Sequence, residues 1–584
     1  MSAESLLGYI FTATYAILLA TLLISAFMIR KQLAQHAIKN SGRVPAAVAL
    51  LTIIFFLAFS VLFVHPVEQL YFDENIYQGI ALNIMHSGSA LWCQYGTALA
   101  ANCPLMQLYH DPVEISFYLA LAFFAFGVGI HTAFMMELAV GAISILLVFL
   151  LASMLFGGEV GMASAVVFAL IPEIFIWSRT QAVPNLYMMM FAVLAFFAFE
   201  SYRKIRTLPA FSFFASALLI ATLMRIEAII LLPIFLLLLA YDSVILRGIK
   251  RTLGAIAGIN LKTIAVLAFF LFLLLPQIYY ILYELKSPDY GTGFLCGKNS
   301  TSILSISNFM CNSVPNLQFF EGAFTRPMFY PTYFSVFTSV IALIGAVAML
   351  WKGGQRRMPI LTLGLWIAAF FAFYTAFYAG SVLYGVDVRF MLILYPPIAI
   401  LSGFGIYWIS NAASYKLSAQ KKGRRRRKSQ EIRRHIIQTL IFIVLIFLFA
   451  MLPFYNSVRV ISMNTSMMPQ EGMPLSATDF IYSNAYKVPS SCLVFSFTPD
   501  IWFELNRSSS QIGWFNVNNA TLEKFESKYS CFVLDYGYWC STPGYQNSTC
   551  KSDLNAYNTT LIATSRSPDP NFNYSLYYVN GYKT

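Results

Sequence analysis

The stretch "PAAVALLTIIFFLAFSVLFVHPVEQLYFDENIYQG" (45–79) decides how this chain is read. Its first twenty residues carry no charge and are long enough to cross a hydrocarbon layer of ~30 Å as a helix. Nine residues beyond that run stand two adjacent carboxylates, Asp73 and Glu74. Acidic residues at a helix exit are often simply solvated, so the meaning of this pair depends on the rest of the chain.

The 584 residues are 58% hydrophobic and 11% charged, with a mean hydropathy of +0.66. A soluble domain carries about 25% charged residues, so the composition excludes one and indicates a polytopic membrane protein. The run "LLGYIFTATYAILLATLLISAFMI" (6–29) is long enough to span and reads as a first span, not a cleavable signal. Apolar runs predict twelve spans, at 7–29, 45–64, 132–154, 159–178, 185–201, 209–224, 227–245, 263–284, 333–351, 359–378, 391–410 and 436–455. Lys and Arg gather in the loops 30–44, 202–208, 246–262, 352–358 and 411–435, the last containing "KKGRRRRK". With twelve spans all five loops fall on one side, which the positive-inside rule makes cytoplasmic. The net charge of +12 is therefore a matter of topology and anionic lipid, and nucleic-acid binding is excluded. One further run, "VEISFYLALAFFAFGVGI" (113–130), is long enough to span. Were it to cross, the Arg-rich run would face out, so it reads as an interfacial helix along the outer leaflet.

Two independent markers agree with this topology. All eight cysteines fall outside, which points to disulfides in an oxidising compartment. Loop grouping pairs Cys93–Cys103 and Cys296–Cys311; among the four tail cysteines, whose connectivity the sequence does not fix, we favour Cys492–Cys531 and Cys540–Cys550. The N-x-[ST] sequons at Asn299, Asn464, Asn506, Asn519, Asn547, Asn558 and Asn573 are also all outside. Residues 456–584 turn polar and aromatic. The segments "SCLVFSFTP", "SCFVLDYGYW" and "NYSLYYVN" read as strands of a small α/β or mostly β domain. Within it, "LDYGYWC" is loosely similar to an oligosaccharyltransferase motif, but that motif begins with two Trp that are absent here, so it reads as a strand.

The loop 65–131 holds no Lys or Arg but does hold Glu68, Asp73, Glu74, Asp111 and Glu114. It is long, carries a disulfide candidate and an apolar helix, and has a second acidic cluster in "LYHDPVE" (108–114). The order of span, Asp-Glu, loop, His-x-Pro, interfacial helix and then many spans resembles the C-type glycosyltransferase (GT-C) fold. It is similar to the protein O-mannosyltransferases and lipid A aminoarabinose transferases, a family 39-like group. "ALIPEIFIWSRTQAVPNLYMMMF" (169–191), "LMRIEAIILLPIFLLLL" (223–239) and "GVDVRFMLILYPPIAILSGFGI" (385–406) are similar to later segments of that family, so the resemblance covers roughly 45–410. Three positions depart from its pattern. Asn185 stands where an acid is usual, Glu137 opens a helix that often begins with Arg, and Asp-Pro follows His110 where Pro-Pro is usual.

The resemblance implies an α-helical polytopic protein of about twelve transmembrane helices with a small extracytoplasmic C-terminal domain. Residues 1–44 would be an extra helix with its cytoplasmic loop, 45–455 the catalytic domain and 456–584 the outer domain. The implied reaction moves a sugar from a polyprenyl-phosphate donor in the membrane lipid to an acceptor hydroxyl of a protein, lipid or glycan, outside the cytoplasm. The membrane would be an archaeal-type plasma membrane or the endoplasmic reticulum. A hydroxyl nucleophile needs a base, and Asp73 is assigned that role, with Glu74 orienting the loop or helping to bind an acceptor or a metal. The leaving phosphate needs a cation, for which Arg389, Arg225 and Arg179 are candidates. His110, Asp111 and Glu114 could hold a divalent metal ion or the acceptor, and Glu173, an acid in a predicted span, is a further candidate. A transporter or flippase of lipid-linked sugars is the alternative; it predicts internal repeats, and no clear repeat is seen.

Overall fold

In the computed structural model the chain is described over residues 3–64, 66, 73–93, 106–109, 111–180, 184–245, 261–286, 304–318, 336–351, 357–377, 385–418, 427–451, 454–455, 458, 475–511, 527–537, 540, 547–566 and 573–582. The uncharged runs form helices throughout, because a helix satisfies its own backbone hydrogen bonds where water is absent. In chain order these are α1 (Ala3–Ser41), α2 (Arg43–Phe63), α3 (Asp73–Ser87), α4 (Glu114–Phe126), α5 (Ile130–Phe156), α6 (Gly158–Ala169), α7 (Pro172–Trp177), α8 (Pro184–Ile205) and α9 (Leu208–Met224). There follow α10 (Leu231–Ala240), α11 (Leu261–Leu273), α12 (Leu275–Lys286), α13 (Ile306–Gln318), α14 (Val336–Trp351), α15 (Arg357–Ala376), α16 (Tyr395–Ser418) and α17 (Arg427–Ile446).

Among the described residues, nine helical segments are long and apolar enough to cross a membrane, and α4, α6, α9 and α14 are apolar but shorter. The nine fall on nine of the twelve expected spans, and the other three, at 159–178, 209–224 and 333–351, hold the shorter helices α6, α9 and α14. Several boundaries differ for local reasons. The expected loop 30–44 is mostly helical, since nothing breaks α1 before Ser41 and the chain turns only at Gly42, whose φ of 73° suits glycine. The span expected at 159–178 is broken after Leu170, and Pro172 opens α7 at its first position. Pro276 similarly divides α11 from α12. A 3-10 stretch, Gly385–Leu394, leads into α16. The run at 113–130 is helical only over the 13 residues of α4. At 1.5 Å per residue that is about 20 Å, short of a full crossing.

The bundle is centred on α8 and α16. The α16 span is 94% buried, whereas the α17 span is 11% buried and presents its apolar side chains outward. Close helix contact is made by small residues. A Cβ at Gly345 of α14 or Gly405 of α16 would run into the other helix's backbone, at the carbonyls of Leu401 and Ile341 respectively.

Beside the helices, β1 (Trp92–Cys93) pairs antiparallel with β2 (Met106–Gln107). The C-terminal part forms a five-stranded mixed sheet from β3 (Cys492–Ser496), β4 (Ser508–Gln511), β5 (Cys531–Tyr536), β6 (Tyr557–Arg566) and β7 (Asn573–Tyr582), in the order β4-β3-β5-β7-β6. Strand β3 runs parallel to β4 and β5, and β7 runs antiparallel to β5 and β6. Helices α18 (Leu475–Asn484), α19 (Pro499–Glu504) and α20 (Asn547–Ala556) complete an α/β unit. All three segments expected as strands are strands. The two tail disulfides are Cys492–Cys531 and Cys540–Cys550, as favoured. The first joins register partners of β3 and β5, with Cα atoms 4.5 Å apart. Cys311 is also disulfide-bonded, while the Cys93–Cys103 pairing and Cys296 lie outside the described residues. Helix α19 packs against α3 and α5, so the sheet domain sits on the α3 side of the bundle.

Candidate active site

Asp73 is the first residue of α3; its side chain lies outside the described residues. A carboxylate at a helix start is favoured by the unpaired amides and dipole there. Glu74 follows and is buried, together with Ile76, Tyr77, Ile80 and Ala81, which seat α3 in the bundle. Helix α3 ends at Gly88 in a left-handed conformation, its amide bonding to the Ile84 carbonyl at 2.9 Å. Its buried Asn83 donates to the Leu91 carbonyl at 2.8 Å, tying the following loop back to the helix.

Tyr77, one turn into α3, is in electrostatic contact with Arg225. Arg225 lies between α9 and a 3-10 turn, Ile226–Ile230, on an extended backbone. Its carbonyl accepts from Gln277 Nε2 of α12 at 3.2 Å. The guanidinium is bracketed by two carboxylates: its Nε lies 3.0 Å from Glu227 Oε1, and its Nη1 lies 3.9 Å from Asp111 Oδ2. It also stands 5.7 Å from the Phe390 ring. The Arg389 guanidinium is 5.3 Å from that same ring. Tyr374, near the end of α15, packs on Phe390 with ring centroids 5.5 Å apart and is in electrostatic contact with Glu227. Six separate chain segments thus meet: α3, the approach to α4, the turn 225–227, α12, the end of α15 and the 389–390 turn.

The expected residues divide. Asp111 and Arg225 pair beside α3, and Arg389 neighbours Phe390, whose ring Arg225 also approaches. Arg179 stands elsewhere: its Nε lies 3.3 Å from the carbonyl of Val64, at the end of α2, and its guanidinium 6.0 Å from the Phe134 ring. A cation there complements the helix's carbonyl end. Glu114 is fully buried and takes a hydrogen bond from the Tyr118 hydroxyl at 3.3 Å; burial pushes its carboxyl well above the usual carboxylate range. Glu173 is fully buried in α7, beside Tyr395. Asn185 and Glu137 are both buried, and Glu137 lies against Tyr187. His110 lies outside the described residues. Of the metal candidates, Asp111 faces a guanidinium and Glu114 a phenol, and among the described residues no group of three or more His, Cys, Asp or Glu converges. Glu227, Tyr374, Phe390 and Tyr77 were not singled out from the sequence. A signal existed for Glu227, an ionisable group just inside a predicted span and two residues from Arg225.

The chain thus combines a bundle of apolar helices, a helix opened by an acidic pair, a short apolar helix and a C-terminal sheet domain on the same side. Its fold is similar to the crystal structure of ArnT from Cupriavidus metallidurans bound to undecaprenyl phosphate, with a TM-score of 0.51 and 14% identity, over 92% of this chain and 97% of ArnT. The archaeal oligosaccharyltransferase AglB from Archaeoglobus fulgidus, in complex with an inhibitory peptide and a dolichol-phosphate, matches with a TM-score of 0.46 and 15% identity, over 90% of this chain and 74% of AglB. No family model and no curated protein matches the sequence.

Proposed function

We propose that this chain is a membrane glycosyltransferase that moves a sugar from a polyprenyl-phosphate donor to an acceptor hydroxyl on the extracytoplasmic side. The observation that carries the reading is the group Asp111, Arg225 and Glu227 beside the helix opened by Asp73, with the Phe390 ring between Arg225 and the neighbouring Arg389. The ArnT structure it resembles in fold holds undecaprenyl phosphate, which supports a lipid phosphate as the leaving group. In a single inverting displacement, the acceptor oxygen attacks the anomeric carbon as the bond from that carbon to the phosphate oxygen breaks. The acceptor's proton passes to the Asp73 carboxylate, acting as general base. No second carboxylate nucleophile is needed, unlike in a retaining hydrolase.

The phosphate's new negative charge falls to the arginines. Arg225 has one charge set against two carboxylates, so its main contribution is to fix Asp111 and Glu227. Arg389, beside the Phe390 ring, is the first phosphate ligand. Asp111 and Glu227 are then placed to accept hydrogen bonds from the sugar's hydroxyls. The basic loops, the outer cysteines and the sequons support a cytoplasmic face opposite the α3 side.

The test is incubation of the purified chain with labelled polyprenyl-phosphate monosaccharides and a mixture of hydroxyl acceptors. Release of polyprenyl phosphate together with a labelled product is expected for at least one donor. Transbilayer movement of intact lipid-linked sugar, with no bond broken for any donor, contradicts the reading.

A further inference from the structure

Helix α1 reaches both ends of the loop that joins α3 to α4. At its N-terminal end, the Gly8 carbonyl accepts from the Ala90 amide at 3.1 Å. Gly8 also lies so close to the following turn that a Cβ there would collide with Ser89 Oγ and Leu91 Cγ. Leu91 is in turn held by Asn83 of α3. One turn on, Phe11 packs between Tyr279 and Tyr280 of α12, with ring centroids 5.6 and 5.4 Å away. A further turn on, Tyr15 is fully buried, 6.2 Å from the Phe117 ring of α4 and in electrostatic reach of Glu114 and Tyr280. Tyr280 is itself in electrostatic reach of Asp111. One continuous rod therefore touches the exit of the Asp73 helix and the first turn of α4, three residues past Asp111, while Phe11 between those contacts rests on the helix that donates to Arg225.

We infer that α1 is a positioning element for the reaction: through Gly8 and Tyr15 it sets the separation between the start of α3 and the Asp111–Arg225 pair. A helix makes a suitable spacer because its rise per residue is fixed, so two contacts seven residues apart are held about 10 Å apart. A small displacement of a reacting group from its productive position is costly in rate, so an element remote from the chemistry can govern turnover. This inference rests on the proposed transfer reaction, and α1 itself touches no reacting atom in it.

The test uses the full chain in detergent micelles, with Gly8→Ala as the perturbation. The triple variant Gly8→Ala, Ser89→Ala, Leu91→Ala removes the atoms the new methyl meets. Gly364→Ala on α15, where a Cβ meets nothing within 4 Å, is the control. Gly8→Ala is expected to speed hydrogen exchange at least tenfold at amides 74–91 and 111–118. It should lower kcat at least tenfold with the donor KM within twofold of wild type. The triple variant should recover both, and the control should change neither. Unchanged exchange in Gly8→Ala, failure of the triple variant to recover, or faster exchange with unaltered kcat each overturns the inference. Absence of transfer by the wild-type chain overturns the reaction instead, and the exchange result then decides the brace alone.

Discussion

Two clusters of charge mark opposite ends of the bundle, and they are built differently. At the end away from α3, Arg203 of α8 bonds Glu200 at 2.7–2.8 Å and Asp242 at 3.0 Å, and Arg206 also pairs with Asp242. Glu200 and Arg203 are one helical turn apart, and Asp242 is the second residue of the π-helical turn Tyr241–Ile245 that follows α10. Two acids meet two arginines at short range, and the cluster closes on itself as a latch between α8 and α10. At the α3 end, Arg225 holds one acid closely and the other at 3.9 Å, and Arg389 stands over the ring they share. That group is drawn from distant segments lined with aromatic side chains. A latch needs only complementary charge, whereas a site also needs charge directed at something other than its own members.

If that contrast is right, variants at the two ends should fail in different ways. Arg389→Ala should reduce transfer by about 10²–10³ with little change in thermal stability, as when one donor to a developing oxyanion is removed. Equal loss of stability and activity would make Arg389 a structural residue. Arg203→Ala should do the reverse. It leaves the buried carboxylate of Glu200 without its guanidinium and Asp242 with Arg206 alone, at a cost of roughly 3 kcal/mol, visible as a lower unfolding temperature in detergent. The transfer rate of the protein that remains folded should stay within threefold of wild type.

The smallest effect concerns the sheet domain on the α3 side. Asp535 of β5 is buried and accepts from Ser496 at 2.6 Å and from Trp502 of α19 at 3.0 Å. Burial raises its carboxyl above the ordinary Asp value despite those bonds. The folded state therefore binds this proton more tightly than the unfolded state does. The contribution to stability is full below the unfolded Asp value and is lost as pH rises through the raised folded value. Asp535→Asn should flatten that slope while keeping the Trp502 bond. Hydrogen exchange of β3 and β5 in the full chain, followed against pH, reads it out; an unaltered slope contradicts the assignment.

Much of the fold was legible because the membrane imposes a simple rule. Uncharged runs such as 45–64 must become helices, and the segments around Cys492, Cys531 and Asn573 carry strand composition. The pairing of the tail cysteines was a choice among alternatives that the parallel β3–β5 register explains. Breaks were harder to see, because Pro172 and Pro276 sit inside runs that hydropathy alone reads as continuous. The site was only half legible. Asp111, Arg225 and Arg389 are charged groups in apolar surroundings and draw notice singly. That Glu227 and Asp111 both reach Arg225 depends on helix packing that no local pattern encodes. The place of Arg179 is hidden for the same reason, since its partner is a carbonyl 115 positions away.

The most direct test of the account is sugar transfer by Asp73→Asn, measured beside the wild-type chain after both are shown to insert in the membrane equally. Loss of a general base predicts a fall of about 10²–10⁴ in turnover with donor binding retained. Turnover equal to wild type would contradict the account.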